Sequence, residues 1–315
     1  MALRKKETQF YLFAGKGGVG KTSMAAATAL YFARQGKKTL IISTDPAHSL
    51  ADSFEMKISG EITQIADNLY GVEIDPKKSM AEYKEKLAPK MDKVGFLKGL
   101  GLEDAFDFAG TVPGIDELAA FDKFLLYMQS KDYNIIIFDT APFGHTLRFL
   151  SLPDILDSWV GKMISIRLKM AGLINMFKKM MPFGESEEGS TKLGTEELEL
   201  IKKRISEARK MLADKKKTHF NLVLIPETMS ISESERSVKI LSEYGIPVSK
   251  VVVNQMIPEN VKCSFCSERR KMQQERLKEI RSMFKGLEIL QVQLYKNEVK
   301  GVDMLEKVAK ELYGN

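Results

Sequence analysis

The stretch GKGGVGKT at residues 15–22 constrains the fold of this chain more than any other. It fits the pattern G-x-x-x-x-G-K-[ST], with Gly15, Gly20, Lys21 and Thr22 in the fixed places. The apolar run FYLFAG precedes it and the helix-forming run TSMAAATALYFARQG follows. Glycines let successive backbone N–H groups turn toward one anion, and the helix N-terminus adds its dipole. Gly15, Lys16, Gly17, Gly18, Val19, Gly20, Lys21, Thr22 and Ser23 are therefore the candidate phosphate contacts. Lys21 is suited to neutralise the β- and γ-phosphates, and the Thr22 hydroxyl to ligate Mg²⁺. A phosphate loop needs one lysine; Lys16 is a second.

Such a loop implies a parallel sheet, and the chain supplies one. KTLIIST from Lys38, YNIIIFDT from Tyr133, FNLVLIP from Phe220 and SKVVVNQ from Ser249 join FYLFAG as expected strands. Each is nearly continuous in apolar residues, as strands buried on both faces are. Helical stretches separate them, the first over residues 22–36 and stopping at Gly36. The expectation is one α/β domain over residues 1–315, a doubly wound, mostly parallel P-loop sheet. Residues 79–131 and 152–218 are too long for single crossovers and read as helical insertions, forming an α-helical subdomain over one sheet edge. A Gly-, Ser- and acid-rich loop at 182–197 interrupts the second.

Two aspartates fall at expected strand ends. TDPAHS places Asp45 after the second strand, and DTAPFGHTLRFL places Asp139 after the third. Asp139 follows four hydrophobic residues, the pattern of a metal-supporting carboxylate opposite a phosphate loop. Asp45 is the candidate for orienting the attacking water. His48 and His145 read as hydrogen-bonding or packing groups of these loops. Asn254 ends the fifth expected strand and carries both a donor and an acceptor, as adenine recognition requires.

Charge and composition narrow the function classes. The net charge is +6, but 48 basic residues are scattered among 42 acids, which reads as a solvated surface with no nucleic-acid partner. MALRKKETQF has no apolar h-region, and no run approaches the ~20 apolar residues that span a bilayer. Two cysteines fit a reducing compartment, so a soluble cytoplasmic protein is expected.

Both cysteines lie in CSFC, Cys263 and Cys266. A structural zinc site wants four ligands, and one CxxC supplies two. The pair is either a redox dithiol or half of a Cys₄ site that a second copy of the chain completes across a twofold axis. Residues 159–183 carry Met163, Met170, Met176, Met180 and Met181 among interleaved lysines and arginines. This amphipathic stretch reads as a membrane-surface helix, a groove for a hydrophobic helix, or core packing.

KGGVGKT, DPAHS and DTAPFGHTLRFL together resemble the deviant-Walker P-loop ATPases of the arsenical-pump and tail-anchored-protein-targeting family, over nearly the whole chain. The resemblance implies a cytoplasmic homodimer, of prokaryotic and archaeal type, that hydrolyses ATP with Mg²⁺. It implies that Lys16 reaches the partner's nucleotide, and that Asp45 is catalytic. It also implies that Glu227 of IPETMS contacts nucleotide and that Asn254 of VVNQ reads the adenine. VQLYKNEVKG at 292–301 lacks the family's proline, so no adenine contact is assigned there. Cys263 and Cys266 then hold Zn²⁺ shared across the dimer. Residues 159–183, with a second apolar wall at 95–110, become a composite groove for the transmembrane helix of a client. A membrane receptor or insertase is the implied destination. One copy of each motif and no further cysteine favour targeting over the arsenite-pump subunit; a general ATP-dependent holdase is the other rival.

Overall fold

In the computed structural model, described residues are 7–44, 49–74, 78–79, 123–140, 203, 206–207 and 209–314. The strands are β1 (Gln9–Ala14), β2 (Thr39–Ser43), β3 (Thr63–Ala66), β4 (Leu69–Glu73), β5 (Ile135–Asp139), β6 (Thr218–Leu224), β7 (Val248–Met256) and β8 (Glu288–Gln293). The helices bounded among described residues are α1 (Lys21–Arg34), α2 (Ser49–Phe54), α3 (Thr228–Glu243), α4 (Ser264–Met283) and α5 (Val302–Tyr313).

All eight strands form one sheet in the order β3-β4-β2-β5-β1-β6-β7-β8. Only β3 runs antiparallel to its neighbour. The fold is thus the expected mostly parallel α/β sheet, and each of the five apolar runs is a strand. The expectation of five strands was three short, and the reason is position. β3 and β8 are the sheet's edges, and in β8 only Val292 is buried, with Glu288, Gln291 and Gln293 exposed, so it does not run apolar throughout. β4 carries Gly71, whose missing Cβ leaves room for Ile65 of β3; a Cβ there would stand 2.6 Å from that side chain.

Burial on both faces explains the continuous apolar runs. Phe13, Ile41, Ile137, Val223 and Val252 point to the side covered by α1 and α5. Leu12, Ile42, Phe138, Leu222 and Val253 point to the other side, where Ile231, Leu241, Leu277 and Ile280 of α3 and α4 pack. Helix α1 is alanine-rich and nearly all buried, so its role is packing. Its partner is α5: the Tyr31 and Tyr313 rings stack at 4.3 Å, and the Thr28 and Tyr313 hydroxyls are hydrogen-bonded at 2.9 Å.

Most of the expected insertions at 79–131 and 152–218 lies outside the described residues. Within them, residues 123–128 and 209–213 are helical, and Thr218 already begins β6. Asp45, His48, His145, the methionine-rich stretch 159–183, the loop 182–197 and the wall 95–110 also lie outside them. No helix among the described residues is long and apolar enough to cross a membrane.

Candidate functional site

Register brings the strand ends together. Phe13 of β1 is level with Asp139 of β5 and Asn221 of β6, and Asp139 is level with Ser43 of β2. The chain leaves β1 through the phosphate loop at that level, the carboxyl edge where parallel sheets bind ligands.

Two glycines are required by geometry. Gly15 passes so close to β6 that a Cβ would overlap the Val223 carbonyl oxygen. Gly20 has φ 93°, where L side chains are strained, and a Cβ there would overlap the Asn254 amide nitrogen. Gly20 is also the N-cap of α1, with no side chain capping the helix and no acid in its first turn. A helix N-terminus without a carboxylate in its first turn favours an anion.

The charged and hydroxyl groups expected around the phosphates are gathered here. Lys21 is buried and its Nζ donates to the Lys16 carbonyl at 3.1 Å, folding the ammonium back over the loop. Thr22 Oγ1 donates to Asp139 Oδ2 at 2.7 Å, across the β1–β5 junction. Asp139 is fully buried, and Ser43 Oγ lies 3.4 Å from the same oxygen. A threonine hydroxyl backed by a buried carboxylate is a hard-oxygen set of the kind Mg²⁺ favours, so these residues fit that ion. Ser43 was not anticipated, because a serine ending an apolar strand carries no motif.

Both flanks of the Asp45 loop are fixed. On one side Thr44 N–H donates to the Asp139 carbonyl at 3.0 Å. On the other, Oε1 of the buried Glu73 accepts the Leu50 and Ala51 N–H groups at 3.1 and 3.0 Å, capping α2.

A cleft of about 670 Å³ opens at the carboxyl ends of β6, β7 and β8. Glu227, Gln255, Phe265, Cys266 and Arg269 line it, and so do Gln293, Leu294, Tyr295 and Lys296 of the loop that lacks the proline. Glu227 is at the mouth, where Arg269 Nη2 donates to its carboxylate at 2.6 Å. Glu311 of α5 shapes the far wall: its carboxylate accepts the Gln293 N–H and the Tyr295 hydroxyl at 2.8 and 2.7 Å. Asn254 is buried beside the phosphate loop, with Nδ2 donating to the Val19 carbonyl at 2.9 Å and Oδ1 accepting the Gln255 N–H at 2.8 Å.

Cys263 is the N-cap of α4 and is exposed; Cys266 is half-buried. The Cys266 backbone N–H and thiol both point toward Cys263 and lower its pKa, while the same thiol contact raises that of Cys266. No group of three or more His, Cys, Asp or Glu side chains among the described residues is arranged to hold a metal. Two thiols of one chain do not complete a tetrahedral zinc site.

Comparison with known proteins places this geometry in a lineage. Residues 8–314 match the family model described as anion-transporting ATPase. The chain is 37% identical to ATPase GET3B of Arabidopsis thaliana, over 94% of this chain and 77% of that protein. It is 36% identical to ATPase ASNA1 homolog 2 of Paramecium tetraurelia, over 97% and 93%. It is 34% identical to ATPase get3 of Schizosaccharomyces pombe, over 98% and 92%. A phosphate loop with its buried Thr22–Asp139 pair, within a match spanning nearly the whole chain, leads to one conclusion: the protein belongs to the anion-transporting ATPase family and is an ATPase.

Proposed function

We propose that the protein is a homodimeric, Mg²⁺-dependent ATPase that holds the transmembrane helix of tail-anchored membrane proteins in a hydrophobic groove and delivers them to a membrane receptor or insertase. The observation that carries this reading is the near end-to-end similarity to ATPases named GET3, joined to an intact phosphate site.

In this reading the backbone N–H groups of residues 15–23 bind the phosphates and Lys21 turns from the Lys16 carbonyl to the β- and γ-phosphates. Thr22 holds Mg²⁺ with Asp139 behind it; the ion, when bound, offsets the charge of the phosphate oxygens. Asp45 orients the attacking water, and Lys16 of the partner subunit completes the charge at the nucleotide. Adenine occupies the cleft beside Glu227 and is read by Asn254, whose neighbour Gln255 lines that cleft. Helical insertions at 79–131 and 152–218 form the client groove, closed by ATP binding and opened by hydrolysis. Such coupling requires groove states that bind nucleotide differently. Cys263 and Cys266 of both protomers enclose one Zn²⁺. A cytoplasmic location and an archaeal origin belong to the same proposal.

Competition binding tests it: a transmembrane-helix peptide should displace a bound client, and an unfolded soluble protein should not. Equal affinity for both would instead describe a general holdase. The family's anion-transporting description favours a second reading, the catalytic subunit of an arsenite efflux pump. Arsenite-stimulated hydrolysis that disappears with Cys263→Ser and Cys266→Ser would select it.

A further inference from the structure

Helix α4 is strongly polar, and Gln273 is the one polar side chain that it buries. That side chain is 4% exposed and spends both ends of its amide on the exit of β7. Oε1 accepts the Ile257 N–H at 2.8 Å, and Nε2 donates to the Gln255 carbonyl at 3.0 Å. The two backbone groups flank Met256, where the pairing of β7 with β8 shifts register. Between them the chain makes an unfavourable turn, for Gln255 has φ 59°, a left-handed conformation that a non-glycine residue adopts only when its surroundings hold it there.

The strained turn is connected to the phosphate loop by one more residue. The Gln255 N–H is held by Asn254 Oδ1 at 2.8 Å, and Asn254 Nδ2 donates to the Val19 carbonyl at 2.9 Å. Gly20, the residue after Val19, has room for no Cβ against that same amide. A change in the β7 exit would therefore move the Asn254 amide relative to residues 19 and 20, where the phosphate loop turns into α1.

We propose that Gln273 is a positioning residue for nucleotide binding: it clamps the left-handed exit of β7 so that Asn254 latches the Val19 carbonyl and holds the phosphate loop in its binding shape. The inference rests on the phosphate loop being the ATP site, and the experiment separates the two.

ATP affinity is measured by titration calorimetry on the full chain, with kcat and KM alongside. Gln273→Leu should weaken ATP binding by about tenfold with kcat changed by less than about twofold. Adding Gln255→Gly, which needs no clamp at φ 59°, should recover most of that loss. Gln273→Glu supplies a readout that mere packing would not move. Its ionised carboxylate cannot donate to the Gln255 carbonyl, so its affinity relative to wild type should be poor near about pH 8 and recover toward about pH 5, as the carboxyl gains a proton. If Gln273→Leu fails to fold, the Gln273→Glu ratio decides. Wild-type affinity in Gln273→Leu, no recovery with Gln255→Gly, or a flat Gln273→Glu ratio overturns the inference. ATP affinity that survives Lys21→Ala in an otherwise unchanged chain removes the phosphate-site assignment, and the inference with it.

Discussion

The phosphate end of β1 and the CxxC end of α4 differ in how much of a site one chain can build. Around residues 15–22 the binding groups are chiefly backbone N–H, which every residue but proline carries, and four adjacent strands fix them in place. Its side chains, Lys21, Thr22 and Asp139, are buried or held by strand ends. The cysteine pair depends on counting ligands, and one chain contributes two thiols, one of them exposed. A backbone site closes by folding; a side-chain metal site closes only when enough ligands arrive. The first is thus a property of the protomer and the second, in the proposed dimer, a property of the assembly.

That contrast yields graded tests. The largest effect is expected at the chemistry: Asp45→Asn should retain ATP binding and nearly abolish turnover, measured by phosphate release. A normal rate would remove Asp45 from its role. Next comes Gly15→Ala, since the new methyl would overlap the Val223 carbonyl. ATP binding should fall by at least about a hundredfold, because the loop cannot close on β6. Lys16→Ala should lower kcat by about tenfold or more with less change in ATP affinity, the signature of an interaction made chiefly in the transition state. Cys263→Ser with Cys266→Ser should leave protomer ATP affinity within about twofold while native mass spectrometry loses one zinc per two chains. An unchanged metal content would break the comparison at its weaker end.

The smallest effect lies far from both sites. His219 stacks on Tyr11 at 4.7 Å, and burial, then the neighbouring Lys250, lowers its pKa below the ordinary 6.5. The folded state thus disfavours its protonation, so between the two pKa values the unfolded chain binds more protons. Stability from this group is complete above pH 6.5 and is lost as pH falls from there through the folded value. His219→Phe, which keeps an aromatic ring on Tyr11, should flatten that part of the pH dependence of the urea midpoint. ATP affinity should not follow it, since Tyr11 lies three residues before the end of β1 and His219 five before the end of β6.

The legible parts of this molecule share one physical property: their signal is local. A phosphate loop declares its glycines, and central strands declare their two-sided burial in every consecutive residue. Edge strands do not: β3 offers only Ile65 and Ala66, and in β8 Ile289, Leu290 and Val292 are interrupted and flanked by exposed polar residues, so neither makes a continuous apolar run. Thr22 and Asp139 were each legible as phosphate-site residues, and register brings them to 2.7 Å. Asn254 was legible as a strand-end residue beside the nucleotide, but its grip on the Val19 carbonyl was not, because the partner lies 235 positions away. Gln273 had no signal at all. A glutamine in a helix of lysines, arginines and glutamates looks solvated until the fold buries it. Glu227 was expected as a nucleotide contact, and its pairing with Arg269 was equally hidden.

The contact between α1 and α5 has a consequence for synthesis. The helix that starts at the phosphate loop is made well before α5, yet it packs on Tyr313 of that helix. β1, the strand feeding that loop, sits between β5 and β6, which reach the ribosome exit only after residues 135 and 218 have been translated. Non-local pairings of this kind form late, and a domain folds as a unit. The nascent chain therefore carries its nucleotide motif long before it has a nucleotide site. Until α5 has been made, α1 lacks the ring stack and the hydroxyl contact that Tyr313 supplies.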